Sequence, residues 1–145
     1  MAQVNLNIDE VKDFTNHIIK NNRFLQEGGK NPVAVEIVGE SGIGKTSAVI
    51  DIAKEHKLNF VKLNLAHELA VEEYLRQGWK VTGKNRMSYC APEWISDKKE
   101  GGILLLDDWN RADMRFIQAV MELVDRQQYI SWSLPKDWHI ILTSN

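Results

Sequence analysis

The sequence lacks the features of disulfide-linked, membrane-spanning or strongly charged proteins. Its one cysteine in 145 residues, Cys90, excludes an internal disulfide and fits a reducing cytoplasm. No apolar run reaches the length of a membrane span, and no secretory signal pattern opens the chain. A formal net charge of −2 gives no overall attraction to nucleic acid or to an anionic membrane. We therefore expect a cytoplasmic protein without a membrane partner, and we do not expect nucleic acid as a partner.

Linker composition is also missing. The chain has three prolines, and no stretch rich in Pro, Gly and Ser separates one part from another. We expect a single domain over residues 1–145, because 43% hydrophobic residues are enough for a core at this length.

Apolar periodicity predicts helices that alternate with strands, which implies crossover connections and a mainly parallel sheet. An Asn7 and Glu10 pair resembles a capping box at the start of the first helix. The predicted helices are 8–20, 45–56, 68–76, 92–95 and 114–124; the predicted strands are 33–38, 59–64, 103–106 and 139–144; and a hairpin is predicted over 78–90.

A glycine-rich segment between the strand 33–38 and the helix 45–56 carries the most specific signal. Residues 39–46 match the phosphate-loop pattern G-x-x-x-x-G-K-[ST], with the strand before it and the helix after it that the pattern requires. Loop N–H groups and the positive end of the helix bind phosphate, the lysine adds a charge for the β- and γ-phosphates, and the threonine hydroxyl binds Mg²⁺. A plain glycine-rich turn is the less favoured alternative. The expected nucleotide-binding residues are Gly39, Glu40, Ser41, Gly42, Ile43, Gly44, Lys45, Thr46 and Ser47.

Two adjacent acids follow the strand 103–106. Asp107 ends this apolar strand on the side where the phosphate loop opens, so we expect it to hold Mg²⁺ together with Thr46. Asp108 then lies toward the γ-phosphate, where a carboxylate orients or polarises the attacking water. A solvated turn or a helix cap is the alternative for such a pair, and the phosphate loop upstream favours the metal.

Three further segments resemble MoxR-type AAA+ ATPases. Residues 103–112, ILLLDDWNRA, are similar to the family segment LLDEINRA, and residues 91–95, APEWI, to a stretch shortly before it. Residues 134–145, LPKDWHIILTSN, are similar to LPxxFxVIATQN, so the resemblance runs from about Val33 to the last residue. It implies a three-layer α/β P-loop NTPase fold with a mainly parallel sheet of order 5-1-4-3-2. It also implies an ATP hydrolase that forms a ring, hexameric in the family, and remodels a protein substrate or adaptor.

The resemblance also implies residue roles. Residues 39–46 are the Walker A loop, Asp107 is the Walker B carboxylate that binds Mg²⁺, and Asp108 stands where the family has its catalytic glutamate. Asn145 corresponds to the sensor-1 residue that contacts the γ-phosphate or the lytic water. Lys45, Asp108 and Asn145 are thus the expected catalytic residues. The segments 78–90 and 127–134 correspond to a helix-2 insert hairpin and a pre-sensor-1 hairpin.

Two departures from the family pattern matter. Asp108 is one methylene shorter than glutamate, so its carboxylate falls back by about 1.5 Å, and a misplacement of about 1 Å can cost on the order of 100-fold in rate. The family's fifth strand, arginine finger, sensor-2 arginine and helical lid follow the position of Asn145. We therefore expect the N-terminal portion of an AAA+ domain, with the strand 33–38 at the sheet edge. A nucleotide-binding module with little turnover is the alternative function, and a small phosphotransferase kinase is less favoured.

Overall fold

Four parallel strands form the central sheet of the computed structural model, which describes residues 6–40, 42–64, 79–83, 86–89, 100–112, 114–129 and 132–144. A short 3₁₀ turn at Trp109–Arg111 follows the third of these strands. The helices and strands in chain order are α1 (Ile8–Glu27), β1 (Val35–Val38), α2 (Lys45–Glu55), β2 (Asn59–Asn64), β3 (Trp79–Gly83), β4 (Arg86–Tyr89), β5 (Gly102–Asp107), α3 (Met114–Arg126), β6 (Gln128–Tyr129), β7 (Trp132–Ser133) and β8 (Trp138–Ser144).

The sheet order is β1-β8-β5-β2, and all three neighbouring pairs are parallel. This order corresponds to 1-4-3-2 of the family order, so the predicted α/β fold is confirmed. β1 lies at one edge of the described sheet, as expected for the strand 33–38. The predicted hairpins are also present as the antiparallel pairs β3-β4 and β6-β7. The predicted helices 68–76 and 92–95 lie outside the described residues.

Helices cover the sheet on both faces, and its two central strands, β5 and β8, are therefore buried along their whole length except at Asp107. Successive side chains of a strand point to opposite faces, so β5 contributes Ile103 and Leu105 to one face and Leu104 and Leu106 to the other. The first face packs against α1 and α2 through a cluster that includes Ile19, Val49, Ile52 and Ile141. The second face packs against α3 through a cluster that includes Val120, Leu123, Ile140 and Leu142.

None of the helices in the described ranges is both long and apolar enough to cross a bilayer.

The first helix is longer than its apolar pattern predicts. Its start is as expected, since Asn7 and Glu10 form a reciprocal capping box. Its end is at Glu27 and not at residue 20, because the polar side chain of Asn22 is buried and bonds to the backbone of Val33 in both directions, at 2.9 and 2.7 Å. The same contact explains why β1 begins at Val35 and not at Val33.

A polar network holds the second half of α1 against the start of β8. Arg23 Nε donates to Asp137 Oδ1 at 2.9 Å, and His139 Nε2 lies 2.8 Å from the same oxygen. Burial alone would raise the pKa of Asp137, but the hydrogen bonds from Arg23 and His139 hold that pKa below its usual value. Burial lowers the pKa of His139, whose side chain is 2% exposed, against the hydrogen bond and charge of Asp137. His139 is therefore stabilised as a neutral ring.

This network makes the stability of the fold depend on pH. A histidine with a lowered pKa binds fewer protons in the folded state than in the unfolded chain, so stability is lost as the pH falls below about 6.5. We expect urea unfolding to show a lower free energy at about pH 5.5 than at about pH 7.5, and a smaller fall in His139→Gln. His56 accounts for part of the pH dependence that remains in His139→Gln, because burial and the charge of Arg23 also lower its pKa.

His17→Gln is the matched control, because this histidine is exposed on the same helix as Arg23. It should keep the pH dependence of the parent protein. Equal pH dependence in the parent and in His139→Gln would contradict the role given to His139.

Candidate functional site

The loop between β1 and α2 has a backbone that only glycine adopts without strain. Gly42 and Gly44 have φ angles of +81° and +95°, in the left-handed region that a Cβ atom disfavours. Gly44 is the residue that precedes α2, and its carbonyl accepts the first helical hydrogen bond, from Ala48 N at 3.0 Å. The positive end of the helix dipole thus faces the loop.

The loop is fastened to the carboxyl end of β8. Gly39 N donates to the carbonyl of Ser144 at 3.0 Å, and Lys45 Nζ donates to the same carbonyl at 3.0 Å. Lys45 Nζ also donates to the carbonyl of Gly39. The lysine of the phosphate-loop pattern therefore bridges the start of the loop and the neighbouring strand.

The chain leaves the sheet at Asp107 and Asp108, the two acids at the end of β5. Asp107 is the last residue of the strand, and its side chain is 20% exposed. Asp108 follows with φ +54° and ψ +40°, a left-handed conformation that Asp tolerates better than most residues, and the 3₁₀ turn begins after it.

One cavity of about 350 Å³ brings the loop and the acids together. That volume lies within the range of about 300–1,000 Å³ that is usual for ligand pockets. In the described part of the chain, no three His, Cys, Asp or Glu side chains group closely enough to hold a metal by themselves. In proteins, Mg²⁺ is usually bound by one or two carboxylates together with waters and substrate phosphates. The cavity is lined by Gly42, Gly44, Lys45, Thr46, Ser47, Asp107 and Asp108.

Not every residue of the predicted site lines this cavity. Among the described residues, Gly39, Glu40 and Ile43 belong to the loop but lie outside the lining, with Ile43 47% exposed. Ser41 and Asn145 lie outside the described residues. The expected metal ligands, Thr46 and Asp107, both face the cavity, although they are 61 positions apart in the sequence (107 − 46).

Two contacts of Asp107 were not predicted from the sequence. Thr143, which pairs with Asp107 in the β5-β8 register, donates its hydroxyl to Asp107 Oδ1 at 2.5 Å. Lys62 of β2 places Nζ 3.5 Å from Asp107 Oδ2. A polar residue at the end of an apolar strand is a signal for the first contact. The second depends on the strand order and register.

An open parallel sheet with a phosphate loop between a strand and a helix defines a P-loop NTPase fold. Residues 34–137 match the family AAA domain (dynein-related subfamily). The chain belongs to this family, and at the family level it is a nucleotide-binding module of the AAA+ ATPase class.

One curated protein is similar to this chain in sequence, and two solved structures are similar to it in fold. Midasin from Giardia intestinalis is 25% identical over 99 residues, which cover 68% of this chain and 2% of Midasin. A mutant of RuvB from Thermotoga maritima has a similar fold, with a TM-score of 0.63 and 13% identity over 94% of this chain and 38% of RuvB. NtrX from Brucella abortus in complex with ADP has a TM-score of 0.59 and 16% identity over 99% of this chain and 30% of NtrX. At these identities the solved structures show the fold alone.

The loop conformation leads to a prediction about its glycines. A side chain at Gly44 is strained whatever space surrounds it, because left-handed backbone costs an L-residue about 1–2 kcal/mol. We expect Gly44→Ala to lower the free energy of unfolding by that amount in urea titrations. Gly28→Ala is the control, since Gly28 has an ordinary φ of −84°. Equal stability of the two variants would contradict the strained loop.

Proposed function

We propose that this chain binds ATP with Mg²⁺ in the cavity between the loop 39–47 and the end of β5, and hydrolyses it. The observation that carries the proposal is the meeting of Lys45 and Thr46 with Asp107 and Asp108 around one cavity. The cavity has a cation and a helix N-terminus on one side and two acids on the other. This combination suits a phosphate chain and the metal that accompanies it.

The described residues divide into those that suit phosphate and those that suit metal. Loop N–H groups and the Lys45 ammonium would hold the phosphates. The Thr46 hydroxyl and the Asp107 carboxylate are the hard oxygen donors that Mg²⁺ prefers, and the ion would neutralise charge on the phosphate oxygens. Thr143 supports Asp107 as a metal ligand, because its hydroxyl donates a hydrogen bond that orients the carboxylate.

Asp108 is the proposed group that orients the attacking water, with Asn145 as a further contact to the γ-phosphate or the water. Asp108 lines the cavity, and its left-handed backbone conformation sets the direction in which its side chain leaves the chain. Its side chain is one methylene shorter than the family glutamate. This difference favours a second candidate function for the chain, namely nucleotide binding with little turnover.

The wider role rests on the family relation and on the MoxR-type segments. We propose that the chain is the N-terminal portion of an AAA+ module that forms a homo-oligomeric ring, a hexamer by family resemblance, in the cytoplasm. Hydrolysis in such a ring would remodel a protein substrate or adaptor. The chain spans 2% of the Midasin relative, so partners and assembly of a whole protein remain part of the proposal.

Removal of the Lys45 ammonium tests the binding site directly. A hydrogen bond to a charged group contributes about 1.5–3 kcal/mol, so Lys45→Ala should weaken ADP binding by roughly ten- to a hundredfold in calorimetric titrations. Lys54→Ala is the control, because it removes an equal charge from an exposed position on α2. Because Lys45 also bridges backbone carbonyls, thermal melting must show that the variant is folded. Parent-like affinity in a folded Lys45→Ala protein would rule out the proposed phosphate site.

Turnover in variants of Asp108 separates the two candidate functions. If catalytic distance limits the rate, Asp108→Glu should raise ATP turnover per chain, whereas Asp108→Asn should reduce it to the level of Lys45→Ala. Asn tolerates the same left-handed backbone, so the loss would report the missing charge. Turnover per chain should be measured at several protein concentrations, because it rises with concentration if subunits complete one another's sites. Tight ADP binding by the parent protein, with turnover no higher than that of Lys45→Ala in the parent and in both Asp108 variants, would favour the second candidate.

A further inference from the structure

Asp107 lies between a neutral donor and a cation. The hydroxyl of Thr143 donates to Oδ1 from β8, whereas Lys62 Nζ lies 3.5 Å from Oδ2 on the side of β2. Asn64 pairs with Asp107 across β2 and β5, and Lys62 stands two residues earlier, which places it on the same face of the sheet. The register thus directs a lysine toward the proposed metal ligand.

The ion pair between Lys62 and Asp107 contributes little to stability. The side chains are 39% and 20% exposed, so water screens much of the attraction. A lysine also has a flexible four-carbon stem, and its ammonium is strongly hydrated, so it can leave the carboxylate for solvent at a small cost. A weak and reversible contact at this position suits an exchange of cations.

Mg²⁺ and the Lys62 ammonium compete for the charge of Asp107. Mg²⁺ accepts only oxygen ligands and water in its shell, so a positive ammonium beside the carboxylate opposes its entry. We propose that Lys62 is a counter-ion that neutralises Asp107 in the metal-free protein and is displaced when Mg²⁺ enters with the nucleotide. In the metal-free state it also offsets the repulsion between Asp107 and Asp108. This inference rests on the proposed function, and it makes Lys62 a determinant of Mg²⁺ affinity.

The test compares ADP binding in EDTA and over a series of free Mg²⁺ concentrations, by calorimetry. Lys62→Met keeps the apolar stem and removes the charge. We expect the Mg²⁺ concentration that gives half of the metal-dependent gain in ADP affinity to fall by about two- to fivefold, the range expected for one screened ion pair. ADP affinity in EDTA should fall by less than about fivefold, because an Asp107 without its counter-ion repels the phosphates through screened charge only. Lys62→Arg should keep the parental Mg²⁺ midpoint.

Lys54→Met is the matched control, since it changes the net charge equally at an exposed position in the last turn of α2. An equal Mg²⁺ midpoint in Lys62→Met and Lys54→Met overturns the inference. A fall of about tenfold or more in ADP affinity in EDTA that is specific to Lys62→Met also overturns it, because a loss of that size is expected of a lysine that binds phosphate directly. Lys62→Gln, expected to shift the midpoint in the same direction, replaces Lys62→Met if melting shows that the latter is unfolded. Absence of Mg²⁺-linked ADP binding in the parent protein refutes the proposed function itself.

Discussion

The position of β8 between β1 and β5 is the constraint on which the site depends. β8 is the last described strand of the chain, yet it pairs with the strand that leads into the loop and with the strand that ends in the acids. Its final residues contact both sides, because Ser144 accepts from Gly39 and Lys45, and Thr143 donates to Asp107. Parallel strands bring their carboxyl ends to one edge, so this pairing order aligns loop and acids around one cavity.

At the carboxyl edge of the sheet, two lysines lie near the two acids. The Lys45 ammonium is bound by backbone carbonyls near the loop, and Lys62 lies beside Asp107 at the far side of β5. An incoming phosphate chain and its metal would replace both sets of contacts with stronger ones. The inference about Lys62 follows from this arrangement, because a cation already present must be moved to admit another. At the opposite end of the sheet, Arg23 and Asp137 hold α1 without contributing to the cavity.

The sequence reveals local structural patterns more readily than contacts between residues that are far apart in the chain. The spacing of Gly39, Gly44, Lys45 and Thr46 identified the loop, because these residues lie within one short segment and the required strand and helix flank it directly. The sheet order came from resemblance, since periodicity predicts strands but not their neighbours. The second half of α1 was missed because buried Asn22 interrupts its apolar stripe while bonding to a residue 11 positions away. Thr143 and Lys62 reach Asp107 only through the register of three strands, which no local pattern encodes.

Amide hydrogen exchange with and without ADP and Mg²⁺ tests the central claim most directly, because it locates the ligand as well as detecting it. The proposed site predicts slower exchange of the backbone N–H groups at 42–47, with little change in the β6-β7 hairpin. Protection should be lost in Lys45→Ala. Unchanged exchange at 42–47 under conditions where ADP is bound, or protection confined to the region around Arg23 and Asp137, would contradict the account.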